Sequence, residues 1–292
     1  MDKACIKGFE LKKNTYFLFF ILLSINSWGY SLVERGVAIG YSFASIRKPG
    51  IVYHNINSYG SQPSGDNKPS MNTISEIPIF IVRSKQKYLG GQLILHLVPP
   101  TLVFDKGSAD PFKRESVNAK WHGGTYNPFG AAGIAWDLPL GWGFSNSVGW
   151  FVPWDGSNFA YHGWSFIDAI AFGHFKEREH NLTGILFIGI PGEDSKFHHK
   201  GDNNFINFNL TATRTFKEKY EIGGLLYYTS DFGPQVLPVI PKQTQLAVGG
   251  LVGYHSDIWF IQAWYGHDVS QENYHSFHSI GFIRIGLDLV NF

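Results

Sequence analysis

The chain has 292 residues, with 24 Lys+Arg against 23 Asp+Glu, 44% hydrophobic residues and a formal net charge of +1. So balanced a charge provides no basic face for nucleic acid, and this much apolar content with only 16% charged residues excludes a disordered chain. No stretch reaches the roughly 18 to 20 uninterrupted apolar residues of a spanning helix, which excludes a helical membrane protein.

The first element in chain order is a targeting segment. Lys3, Lys7, Lys12 and Lys13 form a basic region, Tyr16 to Leu23 a short apolar core, and Ser27-Trp28-Gly29 a small-x-small cleavage site. Residues 1–29 therefore read as a secretory signal peptide and 30–292 as the mature domain. Its removal takes away four Lys and two acids, leaving 20 positive against 21 negative residues. Cys5, the single cysteine, leaves with it. The exported product is expected to hold no disulfide, thiol nucleophile or thiolate metal site.

Beyond residue 30 helical periodicity is nearly absent, and β-branched, aromatic and Gly residues dominate. Twelve strands are expected near 36–46, 74–83, 89–98, 128–138, 142–152, 164–176, 181–190, 204–216, 219–230, 243–254, 257–267 and 277–290. Their connections alternate in length. Those at 84–88, 139–141, 177–180, 217–218 and 255–256 are short, whereas 47–73, 99–127, 153–163, 191–203, 231–242 and 268–276 are long. The long ones carry breakers such as Gln62-Pro63-Ser64-Gly65-Asp66 and Pro191-Gly192-Glu193-Asp194. Short periplasmic turns, long outer loops and an even strand count are the pattern of an all-β, transmembrane up-and-down antiparallel β-barrel. About twelve strands are expected, within a range of ten to fourteen, in the outer membrane of a Gram-negative bacterium.

The faces agree. Ile206, Phe208, Leu210 and Ala212 alternate with Asn207, Asn209, Thr211 and Thr213; Ile283, Ile285, Leu287 and Leu289 alternate with Arg284, Gly286 and Asp288. Period-two alternation sends one set to lipid and the other to the lumen. Trp142, Trp150, Trp154, Trp164, Tyr220, Tyr254 and Trp259 fall near strand ends, where a barrel carries its aromatic girdles.

Several segments also resemble a known family. Lys87-Tyr88-Leu89-Gly90-Gly91 leading to Val98-Pro99-Pro100 looks like a hairpin of the outer-membrane barrels named for the meta-cleavage pathway of phenol degradation. Trp136-Asp137-Leu138-Pro139 followed by Val148-Gly149-Trp150-Phe151-Val152-Pro153 resembles the next hairpin. Gly201-Asp202, Gly223-Gly224, Tyr227-Tyr228 and Asp231-x-Gly233 resemble a later Gly-Asp strand pair. That family is similar in outline to long-chain fatty-acid channels. The resemblance implies a passive outer-membrane transporter of small hydrophobic or aromatic compounds, with no catalytic residues to carry over and no cofactor.

Twelve histidines raise the question of a metal or an enzyme. His198-His199 lies near Asp194 and Asp202, but adjacent histidines point apart, and a solvated loop is expected rather than a metal site. An outer-membrane lipid hydrolase would set His and Ser on one strand face, most simply as His-x-Ser. No histidine has Ser two residues later, and His275 and Ser279, although of one parity, stand too far apart along an extended strand to touch. An enzyme is not expected.

The remaining signal is lumen polarity. Asn207, Asn209, Thr211, Gln243, Gln245, Gln262, Arg284 and Asp288, together with Asp168 and His174, are expected to face inward and to line a substrate path or to satisfy one another in a packed interior. Twelve strands enclose a narrow lumen, and either the first 15 or so mature residues or the 47–73 segment is expected to plug it. The expected partners are outer-membrane lipid and small hydrophobic solutes, not nucleic acid. The competing class is a surface scaffold or adhesion barrel acting through its outer loops.

Overall fold

A computed structural model describes residues 36–41, 43–62, 71–107, 121–157, 159–176, 179–196, 199–200, 203–235, 242–273 and 278–291. The signal-peptide segment, and with it Cys5, lies outside the described residues. The strands are β1 (Gly50–Gln62), β2 (Met71–Tyr88), β3 (Gly91–Val98), β4 (Thr101–Gly107), β5 (His122–Tyr126), β6 (Phe129–Asp137), β7 (Trp142–Phe151), β8 (Ser165–Lys176) and β9 (His180–Pro191), then a small ladder of β10 (Glu193–Asp194) with β11 (His199–Lys200), and β12 (Asn204–Phe216), β13 (Tyr220–Phe232), β14 (Thr244–His255), β15 (Trp259–Glu272) and β16 (Ser279–Asn291). One 3-10 turn at Pro139–Gly141 is the sole helical element among the described residues.

Neighbouring strands pair antiparallel around the sheet, and β1 pairs with both β16 and β2, which closes it. The upper half of β2 pairs with β4 and its lower half with β3, because Pro99-Pro100 interrupts one wall strand between Val98 and Thr101. Asn127-Pro128 interrupts the next one between β5 and β6 at the same height, since proline has no N–H for the ladder. Counting each interrupted strand once, twelve strands form the barrel.

The count agrees with the sequence expectation, but one member of the set differs. The 36–46 segment is no wall strand. It runs inside the barrel, with Ala38, Ile39, Tyr41 and Ala44 buried and unpaired to any wall ladder. The twelfth strand is β1, taken from the expected long connection 47–73. Asn55, Asn57 and Ser58 make that stretch polar on both faces, so its pattern in sequence is that of a loop. Tertiary pairing overrides it, with thirteen residues in register against β2. The two ends of the expected 99–127 loop are likewise strand, as β4 and β5. The alternation of short and long connections holds throughout.

The outer surface is apolar. Val248, Val252, Ile261, Ile283, Ile285, Leu287 and Leu289 are exposed on it. At the short-turn end Trp142 stacks on Phe172 with centroids 4.8 Å apart, and Tyr220, Tyr254 and Trp259 continue the ring. At the loop end Trp150 meets Phe166 edge-on at 6.0 Å. Trp142 and Trp150 are eight residues apart on β7, about 27 Å of extended chain. An apolar band of this height between aromatic rings, on a sheet with no free edge, is a membrane-spanning exterior. The protein is an outer-membrane barrel.

Candidate functional site

The lumen is divided by the 36–49 segment, which descends the interior and leaves at the short-turn end to enter β1. Its upper part packs on β14–β16. Gly36 lies beside Phe282 and Trp264, two inward rings stacked 4.9 Å apart. Gly40 has φ +72°, and an added Cβ would stand 2.8 Å from Arg284 Nη2 and 3.1 Å from Leu251, so both its conformation and its surroundings require glycine. Its backbone N–H donates to Thr211 Oγ1 at 3.1 Å. Lower down, Ala44 passes β7 where Gly143 has no side chain; a Cβ there would stand 1.8 Å from the Ala44 carbonyl. Ile46 N–H donates to Asp137 Oδ1 at 3.1 Å, and the Gln92 amide clasps Arg47, accepting from its N–H at 3.1 Å and donating to its carbonyl at 2.8 Å. Arg47 also lies over the Phe175 ring, 3.2 Å from its centroid. This segment is the lumen plug, in agreement with one of the two expected sources of it.

Two cavities flank the plug. The upper one, about 220 Å³, opens against the β2–β9 half of the wall. Its surface is set by Phe43 of the plug with Ile77, Phe129, Ile167, Ile185 and Phe187 of the wall, and is almost wholly apolar. The lower one, about 480 Å³, is polar and faces the short-turn end; Arg83, His54, His255, Glu221, Arg284 and Asp288 are among its walls. Tyr41, Phe43 and His96 border both, so the two chambers meet at this septum.

The septum is held by a buried polar network. Arg284, 1% exposed, is the largest fully buried side chain among the described residues. Its Nε donates to Gln262 Oε1 at 3.0 Å, its Nη2 to the same oxygen, and its guanidinium covers the Tyr41 ring at 4.0 Å. The Gln262 amide nitrogen donates in turn to Glu221, whose carboxylate also accepts from Thr213 Oγ1 and pairs with His255 Nε2 at 2.8 Å. Tyr41 Oη and His54 Nδ1 share a hydrogen bond of 2.7 Å. Burial raises the Tyr41 phenol above its usual pKa, outweighing the opposite pull of Arg284 and Arg83, so the plug presents a neutral hydroxyl here.

Of the residues expected to line the path, Gln262, Arg284 and Asp288 border the lower chamber. Asn207, Asn209 and Thr211 do face inward and are buried, but border neither cavity. Asn209 donates to Asn207 at 2.6 Å, and Thr211 holds the plug. Gln245 is buried against Asp268, which also accepts from Tyr227 at 3.3 Å. Gln243 stands at the outer mouth, where its backbone N–H donates to Asp231 Oδ2 at 3.1 Å. On this side of the barrel Asn209 bonds Asn207 and Thr211 bonds the plug, while Asn207 Nδ2 and Asn209 Oδ1 are buried with no hydrogen-bond partner among the described residues.

Asp168 and His174 require correction. The inward set of β8 is Ser165, Ile167, Ala169, Ala171 and Gly173, so both residues point outward. Asp168 accepts from Asn146 Nδ2 of β7 at 2.7 Å, and His174 lies at the short-turn rim between His180 Nε2 at 2.7 Å and the Leu140 carbonyl at 2.9 Å. Strand β8 is apolar on both faces, because this half of the wall encloses the apolar chamber. Hydropathy alternation therefore does not distinguish lumen from lipid there.

The sequence reading missed His54, Arg83 and His96, which lie in or beside the misassigned first hairpin, and the whole apolar chamber. The signal for the chamber was the doubly apolar character of β8 and β9. Of the loop candidates for a metal or an enzyme, His198, Asp202 and His275 lie outside the described residues, and Asp194 is held 3.3 Å from His162 Nδ1. No group of three metal-ligating side chains occurs among the described residues.

No family model matches the chain, and no curated protein matches it in sequence. Among solved structures it is similar to an outer membrane channel from Pseudomonas putida F1, with a TM-score of 0.61 at 12% identity, over 84% of this chain and 97% of that one. It is also similar to the β domain of the Bordetella autotransporter BrkA, with a TM-score of 0.50 at 9% identity, over 83% of this chain and all of the other. At these identities the likeness establishes the barrel fold that the two share with this chain.

Proposed function

We propose that the protein is a passive outer-membrane channel for small hydrophobic or aromatic compounds, gated by its own plug. The observation that carries this reading is the apolar chamber above Tyr41. A cavity of about 150 Å³ lined by Leu, Ile and Phe suffices to hold benzene, and this one is about 220 Å³ with walls of the same kind. A surface scaffold or adhesion barrel has no need of an apolar void inside the barrel, where a packed interior would be more stable. A solute entering the chamber exchanges water for apolar walls, gaining about 25 cal/mol for each Å² it buries. Net passage downward then requires the plug to shift, because Tyr41 and Phe43 form the chamber floor.

The test is uptake of labelled naphthalene by Gram-negative cells expressing the protein or its Ile167→Trp variant. Ile167 is 2% exposed and faces the chamber, so an indole there fills the void. Uptake above the vector control for the native chain, falling to the control for the variant, is expected. Heat-modifiable gel migration confirms that the variant barrel has closed. Native uptake equal to the control would refute the channel.

A further inference from the structure

The lower chamber carries charge that the passage of a neutral hydrocarbon does not use. Five cationic side chains border it, Arg47, Lys48, Arg83, Lys176 and Arg284, against three carboxylates, Glu221, Asp257 and Asp288. Two of the cations stand out. Arg284 is fully buried, and although Nε and Nη2 are taken by Gln262, Nη1 has no hydrogen-bond partner among the described residues. A buried guanidinium with an unused N–H is costly to keep, since its water has been removed and nothing has replaced it. Arg83, on β2 nearer the short-turn mouth, faces the same chamber, and among the described residues the field of Asp288 and Tyr41 opposes its charge without a direct ion pair. Glu221 balances Arg284 at one remove, through Gln262, and no carboxylate bonds the guanidinium directly among the described residues.

The placement of the two arginines adds to this. Arg284 stands opposite Ile56 of β1, in the middle of the wall, and Arg83 opposite Gly50, at the lower end of the same strand. Both lie close enough to Tyr41 to act on its phenol. A ligand whose body occupies the apolar chamber would pass its leading end through the septum of Tyr41, Phe43 and His96 to Arg284 first and Arg83 second. His96 reinforces the polarity of that passage, for its Nε2 is buried with no partner. The planar guanidinium fork matches a carboxylate in shape and charge.

We infer that the lower chamber is a binding site for the carboxylate of an organic acid whose apolar body fills the upper chamber, so that the transported compounds include aromatic or aliphatic monocarboxylates. This rests on the channel reading and deepens it: the upper chamber selects the body and the two arginines select the head. Binding involves no covalent step. The unpaired N–H of Arg284 gains an acceptor, and the acid exchanges solvating water for charge-assisted hydrogen bonds.

The experiment is calorimetric titration of the purified full-length protein in detergent at pH 7.5 with 4-phenylbutyrate and 4-phenylbutanol. The two share an apolar body and differ in the head, and protein-free titrations correct for micelle partition. One charge-assisted hydrogen bond is expected to favour the acid by about tenfold. Arg83→Gln and Arg284→Gln should each reduce that preference, with the acid losing more affinity than the alcohol. Arg83, less deeply buried, keeps the test usable should the Arg284 variant fail to close, which gel migration reports. Equal affinity of acid and alcohol for the native protein overturns the carboxylate site and leaves the channel standing. A preference that survives in both variants also overturns the assignment. Binding of neither probe overturns the site together with the hydrophobic channel beneath it.

Discussion

Above Tyr41 the inward residues are Ile77, Phe129, Ile167, Ile185 and Phe187; below it they are His54, Arg83, Glu221, His255 and Arg284. Both chambers are built by the same device, alternate residues of paired strands, yet the surface of one is mainly aliphatic and aromatic, with a few hydroxyls and His96 among it, while the other is lined by charged groups tied together by hydrogen bonds. The apolar chamber tolerates a void because its walls lose only dispersion contacts. The polar chamber cannot tolerate loss of a partner, because each buried charge there depends on the next through Gln262. The difference teaches where the molecule is fragile and where it is adaptable.

That contrast predicts a graded set of outcomes. Glu221→Ala should have the largest effect, about 3 kcal/mol or more of lost stability, since removing one member of a buried ionic network leaves Arg284 uncompensated. Urea unfolding followed by the gel-mobility shift measures it, and a loss below that of any upper-chamber truncation would break the comparison. Ile185→Ala enlarges the existing void and should cost about 2 kcal/mol. It should at the same time admit bulkier aromatic solutes, read as a changed size limit in uptake.

Gly143→Val acts on the plug rather than on either chamber. The new side chain collides with the Ala44 carbonyl, and overpacking of this kind costs about 1 to 3 kcal/mol. The expected result is a loosened lower plug and a higher single-channel conductance in planar bilayers; unchanged conductance would show that the plug moves elsewhere. The smallest effect belongs to the lipid face. Asp168→Leu strands the Asn146 amide and should cost about 1 kcal/mol, whereas the double change with Asn146→Leu removes both partners and should restore most of it.

The barrel was legible in sequence because connection length and period-two alternation are local properties, and β12, β14 and β16 display them fully. Strand β1 was not legible. Its Asn55 and Asn57 face lipid and Asn55 is satisfied by Glu76 Oε1 at 3.0 Å on β2, a partner that exists only once the strands have paired. The plug was misread for the converse reason: Val37, Ile39, Tyr41 and Phe43 alternate as a strand would, but Gly36 and Gly40 take positive φ and turn the chain into the lumen. Within the site, Arg284 and Gln262 were identified as inward by parity. That Asn209 bonds Asn207 directly, while Arg284 borders the charged chamber, is a matter of side-chain geometry that parity does not encode.

The amino-acid sequence by itself determined the fold class, the short and long ends and the lipid face of most strands, because these follow from backbone period and turn chemistry. Only the tertiary structure decided which segment is wall and which is plug, which face of β8 sees lipid, and that the lumen is split into an apolar and a charged chamber. Those choices depend on contacts between residues far apart in the chain, such as Gly40 with Thr211 and Gly143 with Ala44, and no local pattern specifies them.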